Sequence, residues 1–547
     1  MVGYEWKIKS KAPDKKNVKW LLTILAKNRG LDTAKKLNDF LNPTLEQILK
    51  VTPTHLEKGL NRVISAIKNK EKIAIYCDYD ADGLNAAAIM WETLYDLGAK
   101  VMPYVPHRLT EGYGLSKQGI LKLKEEQKIT LIITVDQGVT ALEQVQYATK
   151  LGIDVVITDH HILPVKQPHP YALVHTTDLC GAGVAWRLCW EIVSQLDPTY
   201  KDKFLEKLEL AAIATIADLV PLIGANRSIV KMGLLQIVKT KRPGLKALIT
   251  AANITWPVGT YEIGHIIAPR INAMGRIEHG LDSLRLLCTK SQKKADTLAQ
   301  LLSKTNTRRQ DLTTKAIEHA RSLVDPEVLI GVIEHDTWHE GVIGLVASQL
   351  VESFWRPMIV ISRGVKFSKG SARSIPGFNI IEAIRASSQY LVDAGGHPMA
   401  AGFTIETEQI EIFKNSITKY AKTIITEEIL ERKLEAECEL ESGDINMENL
   451  KTIEVFEPFG IANPLPLFVT KNMTVEDVRG VGLQNKHLKL QVDGISAIGF
   501  NLGELRTQLR PGHKVDLAYT LAVDRYAGDG SIQLKVKDLK VANHQIQ

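Results

Sequence analysis

Hydrophobic positions along the chain change rhythm from one stretch to the next, and each rhythm predicts a different element. KIAIYC (Lys72 to Cys77), KVMPYV (Lys100 to Val105), TLIITV (Thr130 to Val135) and IDVVIT (Ile153 to Thr158) are short β-branched runs with helix-length segments between them. That alternation predicts a parallel sheet with right-handed crossovers. Residues 1–70 read as a mainly helical lead-in, with NPTLEQIL (Asn42 to Leu49) as one short piece, and Gly183 to Leu287 as a more helical part. From Ser291 to Val324 there is neither Gly nor Pro, and Ala295, Leu298, Leu302, Thr305, Leu312, Ala316 and Leu323 approximate one face at steps of three and four. One long helix joining two globular parts fits that stretch.

Beyond Pro326 a second α/β unit begins with VLIGVIE (Val328 to Glu334), a helix from about Gly341, and PMIVIS (Pro357 to Ser362). From about Leu440 the pattern turns to alternating strands such as HLKLQV (His487 to Val492), VDLAYTLAV (Val515 to Val523) and IQLKVKDLKV (Ile532 to Val541), which predict a small β-barrel. The expected division is 1–70 lead-in, 71–287 parallel-sheet domain, 288–325 connecting helix, 326–440 smaller α/β domain and 441–547 barrel.

Composition changes this picture only by exclusion. A chain of 547 residues is too long for one core. Lys plus Arg total 68 against 62 for Asp plus Glu, a net +6 that permits an anionic partner without demanding one. Cys77, Cys180, Cys189, Cys288 and Cys438 are scattered and include no CxxC pair, which argues against a disulfide framework or a structural zinc site. The start, MVGYEWKIKSKAPDKK, has no apolar signal core, and no stretch reaches the roughly 18 to 20 apolar residues of a membrane span. A reducing cytoplasm is the expected location.

The acidic residues carry the chemistry. Asp78, Asp80 and Asp82 stand in DYDADG after the first strand, Asp136 closes the third in TVDQG, and Asp159, His160 and His161 close the fourth in ITDHH. Strand carboxyl ends of an open parallel sheet share one edge, and ligands bind in the crevice there. Carboxylates crowded into one crevice repel unless a cation lies between them. Mixed carboxylate and imidazole ligands suit Mn²⁺ or Mg²⁺, and two such ions about 3.5–4 Å apart serve phosphoryl transfer. Asp136 is placed to bridge them. Read singly, DYDADG is also a turn or a calcium loop, TVDQG a strand end, and DHH a helix cap or surface loop; their order at successive strand ends is what favours a metal centre.

Taken with ATIADLVPL (Ala214 to Leu222), these motifs resemble those of the DHH phosphoesterase family. The resemblance implies that Asp80, Asp82, Asp136, His160 and Asp218 are metal ligands with His161 close by; Asp78 is a further candidate ligand, compensating in part for a His missing at Tyr76. Asp218 comes from the resemblance alone, since ATIADLV otherwise reads as a helix terminus. Tyr76 stands where some relatives place a metal-binding His. PRINAMGRI (Pro269 to Ile277), HEGVIG (His339 to Gly344), GSARSIPGFNI (Gly370 to Ile380) and GGHPMAAGF (Gly395 to Phe403) extend the likeness to the RecJ branch and its DHH-associated domain. HEGVIG is not a zinc-protease HExxH, because Ile343 occupies the second His position. The resemblance makes Arg108, Arg276, Ser371 and Arg373 candidates for a 5′-phosphate pocket and His397 a residue facing the metals; Arg forks and Gly-rich turns suit phosphate.

The barrel, with PFGIANPLPLF (Pro458 to Phe468), resembles an oligonucleotide-binding (OB) fold, for which Tyr519 and Tyr526 are stacking candidates and Lys486, Lys489, Lys535 and Lys537 basic ones. The connection between YALVHTTD (Tyr171 to Asp178) and GAGVAWRL (Gly181 to Leu188) is shorter than in many relatives. What the resemblance implies overall is a 5′-to-3′ single-stranded-DNA exonuclease releasing 5′-mononucleotides by a two-metal mechanism in DNA repair and recombination. It further implies a monomer with a single-strand-binding protein and a helicase as partners. Two alternatives stay open: a phosphatase acting on short oligonucleotides or nucleotides, and a non-catalytic DNA-binding scaffold.

Overall fold

The protein, seen here as a computed structural model, is described over residues 4–107, 111–112, 114–524, 528 and 530–542. Arg108 and Tyr526 lie outside the described residues. The chain forms two compact units, one of Leu45–Val220 with Ser228–Leu430, the other of Met1–Thr44, Pro221–Arg227 and Glu431–Gln547. Among the described residues no helix is long and apolar enough to cross a membrane.

The larger unit is built on an all-parallel sheet whose strands lie in the order Lys100–Tyr104, Lys72–Cys77, Leu131–Val135, Asp154–Asp159, Ala172–His175. The inner strands are buried along almost their whole length, which explains why they read as continuous apolar runs and not as alternation. Ala172–His175 pairs in parallel with the fourth strand, Asp159 facing His175. The apolar runs read from the sequence as strands do not include it. The chain goes from the strand Lys72–Cys77 to one side of it and then to the other, so a topological switch point opens at the carboxyl ends of Lys72–Cys77 and Leu131–Val135. DYDADG and TVDQG both emerge there.

The connecting helix runs over Gln292–Leu323, 32 residues, with Ser291 capping it by accepting from the Lys294 N–H. Its buried stripe is Ala295, Ala299, Leu302, Thr305, Asn306, Ala316 and Ala320. Leu323, expected on that face, is largely exposed, because the apolar stripe drifts round the helix over so many turns. After it comes a five-stranded mixed sheet in the order Leu391–His397, Ala400–Glu406, Phe367–Arg373, Met358–Ser362, Gly331–His335.

In the smaller unit, Phe468–Val481, His487–Val492, Ile495–Gly499, Ile532–Val541 and Lys514–Val523 close a barrel in that order. The amino-terminal residues are not helical throughout: Glu5–Ile8 is a strand pairing in parallel with Lys433–Ala436. Trp20, Leu21 and Leu25 of the helix Trp20–Asn28 share one core with Phe456, Phe468 and Leu517. Tyr519 is no stacking platform. It is fully buried in that core, and its hydroxyl bonds the Thr470 hydroxyl at 2.7 Å. The outward positions instead carry Lys535 and Lys537, exposed, and Lys489, which lies 3.6 Å from Asp524. Phe500 is an exposed aromatic on the barrel, edge-on to His487 at 5.3 Å between ring centroids.

Candidate metal centre and phosphate pocket

The motif after the first strand folds as a helix start. Asp80 caps the helix Ala81–Asp96, its Oδ1 accepting from the N–H groups of Asp82 and Gly83. Gly83 has to be glycine, since an added Cβ would meet the Asp78 Cβ at 2.8 Å. Asp82, buried, accepts at both oxygens from the amino-terminal N–H groups of Gly181 and Ala182, each at 2.7 Å, in the helix Gly181–Leu196. The dipole of that helix stabilises the carboxylate.

Asp136 leaves its strand in the left-handed region at φ 60°, which turns the side chain into the crevice. Asp159 ends the next strand and is consumed by local bonds. Its oxygens accept from the N–H groups of Val139 and His160, and from His161 Nδ1 at 2.7 Å. It therefore orients His161 and supplies no ligand atom, as a second layer of partners commonly does around metal sites. Asp218 follows the helix Leu208–Ala217 as its C-cap.

These side chains converge. His160 Nε2 lies 3.2 Å from Asp136 Oδ1, 3.5 Å from Asp218 Oδ2 and 3.8 Å from Asp82 Oδ2. Three sets have donor atoms close enough to share an ion: Asp82 with His160 and Asp218, Asp78 with Asp80 and Asp136, and Asp136 with His160 and His161. Asp136 belongs to two of them. Buried Asp136 Oδ1 and His160 Nε2 have no hydrogen-bond partner among the described residues, although they face each other. Two orphaned atoms of this kind fit a divalent cation and little else.

The electrostatics say the same. Burial, then Asp82 and Asp80, push the Asp136 carboxyl well above the usual range. Burial and the same two acids raise Asp218 to about 8. Burial and Asp82 raise Asp80. Burial lowers His160, keeping a neutral, ligating imidazole. For His161 burial works to lower the value, but the bond to Asp159 wins and holds it at about 9. Without a cation the acids keep protons; a cation replaces them.

Tyr76 takes no part. It is fully buried, 3.3 Å from the Ser116 hydroxyl, and its ring packs on Tyr104. Asp78, nearly as buried, stands beside Asp80 and Asp136.

The phosphate candidates form a second group. Arg373 Nη1 donates to the Ser371 hydroxyl at 3.3 Å and the Ala372 carbonyl at 2.8 Å. A Cβ on Gly344 would sit 3.0 Å from Ser371 Oγ, so that glycine makes room for them. Burial lowers Arg373, with no acid in opposition among the described residues. His397 is lowered by burial first, then by the charges of Arg373 and His161. Arg276 reaches the Gly341 carbonyl at 3.3 Å. Arg108, the remaining phosphate candidate, lies outside the described residues.

Sequence reasoning passed over Asn272 and Gly181. Asn272, inside PRINAMGRI, accepts the Ala81 N–H at 2.6 Å and so fixes the helix start between Asp80 and Asp82. A Cβ on Gly181 would lie 2.5 Å from both Cβ and Oδ1 of Asp136. Gly181→Ala should therefore weaken Mn²⁺ binding by about 10- to 100-fold, the scale of a lost outer partner. Titration calorimetry checks this, and an affinity within twofold of the parent would contradict it.

Along nearly its whole length the chain is similar to known proteins. The DHH family, N-terminal domain, matches residues 72–219, the DHHA1 domain residues 325–423, and the RecJ OB domain residues 436–538. The single-stranded-DNA-specific exonuclease RecJ of Bacillus subtilis (strain 168) is 35% identical over 550 residues, covering 96% of this chain and 68% of that protein. The crystal structure of RecJ from Thermus thermophilus in complex with Mn²⁺ superposes with a TM-score of 0.85 at 29% identity, over 99% of this chain and 80% of that one. Its Mg²⁺ complex gives 0.79 at 28%, over 99% and 79%. Three family domains in unbroken order, and a relative matched along nearly the whole chain, place this protein in the RecJ family.

Proposed function

We propose that the chain is a metal-dependent exonuclease that digests single-stranded DNA from the 5′ end and releases 5′-mononucleotides. The observation that carries this is the orphaned pair, Asp136 Oδ1 and His160 Nε2, at the centre of a cluster of acids whose donor atoms lie close enough to share cations. Asp78, Asp80, Asp82, Asp136, His160 and Asp218 would hold two divalent ions, Mn²⁺ or Mg²⁺. When bound, the ions supply an activated water and the positive charge that an in-line phosphoryl displacement needs. Ser371, Arg373 and Arg276, with Arg108, grip the terminal phosphate and set the next phosphorus over the carboxylates. His397 and His161 line the approach, and His161, held by Asp159, is placed to donate a hydrogen bond to the departing oxygen.

Water adds to phosphorus, the bond to the 3′ oxygen breaks, and the shortened strand keeps its phosphate as a new 5′ end. Each cycle thus regenerates the group that the pocket recognises. The barrel's lysines, with Phe500 and His487, are the proposed strand-binding surface. We further assign the functional division to residues 71–287, 288–325, 326–440 and 441–547, after the lead-in 1–70. A cytoplasmic monomer working in DNA repair and recombination, beside a single-strand-binding protein and a helicase, completes the reading.

A timed digest of end-labelled single-stranded DNA tests it. Strands with a 5′-phosphate should be shortened at least about tenfold faster than 5′-hydroxyl strands, given the worth of a charge-assisted bond. Duplex should resist. Equal rates at both ends, or faster cleavage of dinucleotides than of long strands, would favour the short-oligonucleotide phosphatase instead.

A further inference from the structure

His175 ends the strand Ala172–His175, in the stretch YALVHTTD, and is 7% exposed. It stands opposite Asp159 in the parallel pairing with Asp154–Asp159. Its ring Nε2 lies 2.8 Å from the His161 carbonyl oxygen. A carbonyl can only accept, so Nε2 carries the hydrogen of this bond. The strand end is itself held. Thr54 donates from its N–H to the His175 carbonyl at 2.8 Å, and from its hydroxyl to the Leu173 carbonyl at 3.0 Å.

Two different residues hold the two ends of the DHH turn. Asp159 Oδ1 accepts from the His160 N–H at 2.7 Å, the His161 N–H at 3.2 Å and His161 Nδ1 at 2.7 Å. One oxygen thus holds the entry to the turn and the His161 ring. His175 holds the exit. Beyond it residues 162–170 form neither helix nor strand, and Ile162, Leu163 and Val165 are exposed. Among the described residues the next backbone bond is that of the Tyr171 N–H to the Val155 carbonyl, at 2.8 Å. A buried histidine at a strand end can be there to fill space and satisfy one partner. Filling space does not call for a donor aimed two residues past the end of the neighbouring strand, at the carbonyl of the residue placed to meet the departing oxygen.

We infer that His175 is a positioning residue for the reaction: by holding the His161 carbonyl, it keeps the His161 ring on Asp159 with Nε2 left for the departing 3′ oxygen. The inference rests on the proposed exonuclease reading and adds to it a residue that touches neither the ions nor the strand. The 3′ oxygen takes the electron pair of the breaking bond to phosphorus, so a hydrogen bond to it matters most as that bond breaks. A small backbone shift at His161 lengthens this contact and leaves the carboxylates where they are.

The test compares the full chain with His175→Leu, which fills the space without a donor, His175→Gln, which restores an N–H near the position of Nε2, and His161→Ala. On a 5′-phosphorylated 20-mer of thymidylate with Mn²⁺, His175→Leu should lower kcat about tenfold, and His161→Ala about 100-fold. KM for His175→Leu should stay within about twofold, and His175→Gln should return kcat to within about threefold of the parent. A sulfur in place of the 3′ oxygen of the first linkage leaves as a thiolate and needs no hydrogen bond. On that strand every variant should come within about threefold of the parent. Titration calorimetry should give His175→Leu an Mn²⁺ affinity within about threefold of the parent, since the proposed ligands stay in place. A loss that persists on the sulfur strand, or a matching loss of Mn²⁺ affinity, would reduce His175 to a support of the fold and overturn the inference. So would an unchanged kcat for His175→Leu beside a slow, sulfur-rescued His161→Ala, and that result would leave the exonuclease reading standing. A parent chain that cuts neither strand would remove that reading and the inference with it.

Discussion

Asp136→Asn should abolish turnover to within experimental background, a fall of at least about 10³-fold. The estimate exceeds the 10- to 100-fold of an outer partner because Asp136 belongs to two ligand sets at once. Asparagine keeps the volume that packs against Gly181 and the left-handed turn, so the fold has no reason to change. What it loses is the charge and one ligating oxygen. Like-charge crowding with Asp82 and Asp80 disappears as well, and with it the burial of a group pushed well above its ordinary range. The metal-free variant should therefore melt at a higher temperature than the metal-free parent. Initial rates on 5′-phosphorylated single strands and a calorimetric melt in chelator check both halves. A rate within tenfold of the parent would remove Asp136 from the centre.

This opposition between stability and chemistry is a general property of the site. The same burial that makes Asp136, Asp80 and Asp218 poor anions makes them strong ligands once a cation is present. Arg373 repeats the pattern with the sign reversed, desolvated and without an acid acting on it among the described residues. Both sets are incomplete in the protein alone. In the proposed reading a phosphodiester strand and its cations complete them together.

How much of this was legible in the sequence depended on which rule placed a residue. Asp78, Asp80, Asp82, Asp136 and His160 were readable because parallel strands put their carboxyl ends on one edge, and apolar runs identify such strands reliably. Asp218 was not, because it arrives from a helix terminus, which has no fixed relation to a sheet edge. Gly181 and Asn272 act through an N–H and a carboxamide on distant elements, contacts that no local pattern encodes. Tyr519 was misjudged for a different reason. Its strand alternates, and Tyr519 shares the inward face with Val515, Leu517 and Leu521, so the same alternation that identifies the strand turns this ring into the core. The strand Ala172–His175 escaped because four residues carry too little periodicity to distinguish a strand from a connection.

Chelation should remove all activity, and its effect on stability should depend on pH in a definite direction. In the metal-free protein Asp136, Asp80 and Asp218 have folded-state values raised above those of the unfolded chain, Asp218 to about 8. Between about pH 4 and pH 8 the folded state thus holds more protons than the unfolded one. The stability these groups contribute is complete below the ordinary carboxylate range and is lost as pH rises towards 8. Divalent binding requires the same groups deprotonated, so its affinity climbs through that window and releases protons. The stabilisation it adds climbs with it. Melting temperatures with saturating Mn²⁺ and with chelator should lie close together at pH 5.5 and separate steadily up to pH 8.5, the metal-free curve falling. Asp136→Asn should narrow that separation by removing one of the protons displaced. A gap of constant size across the range would mean that the ions bind elsewhere, whatever the carboxylates do.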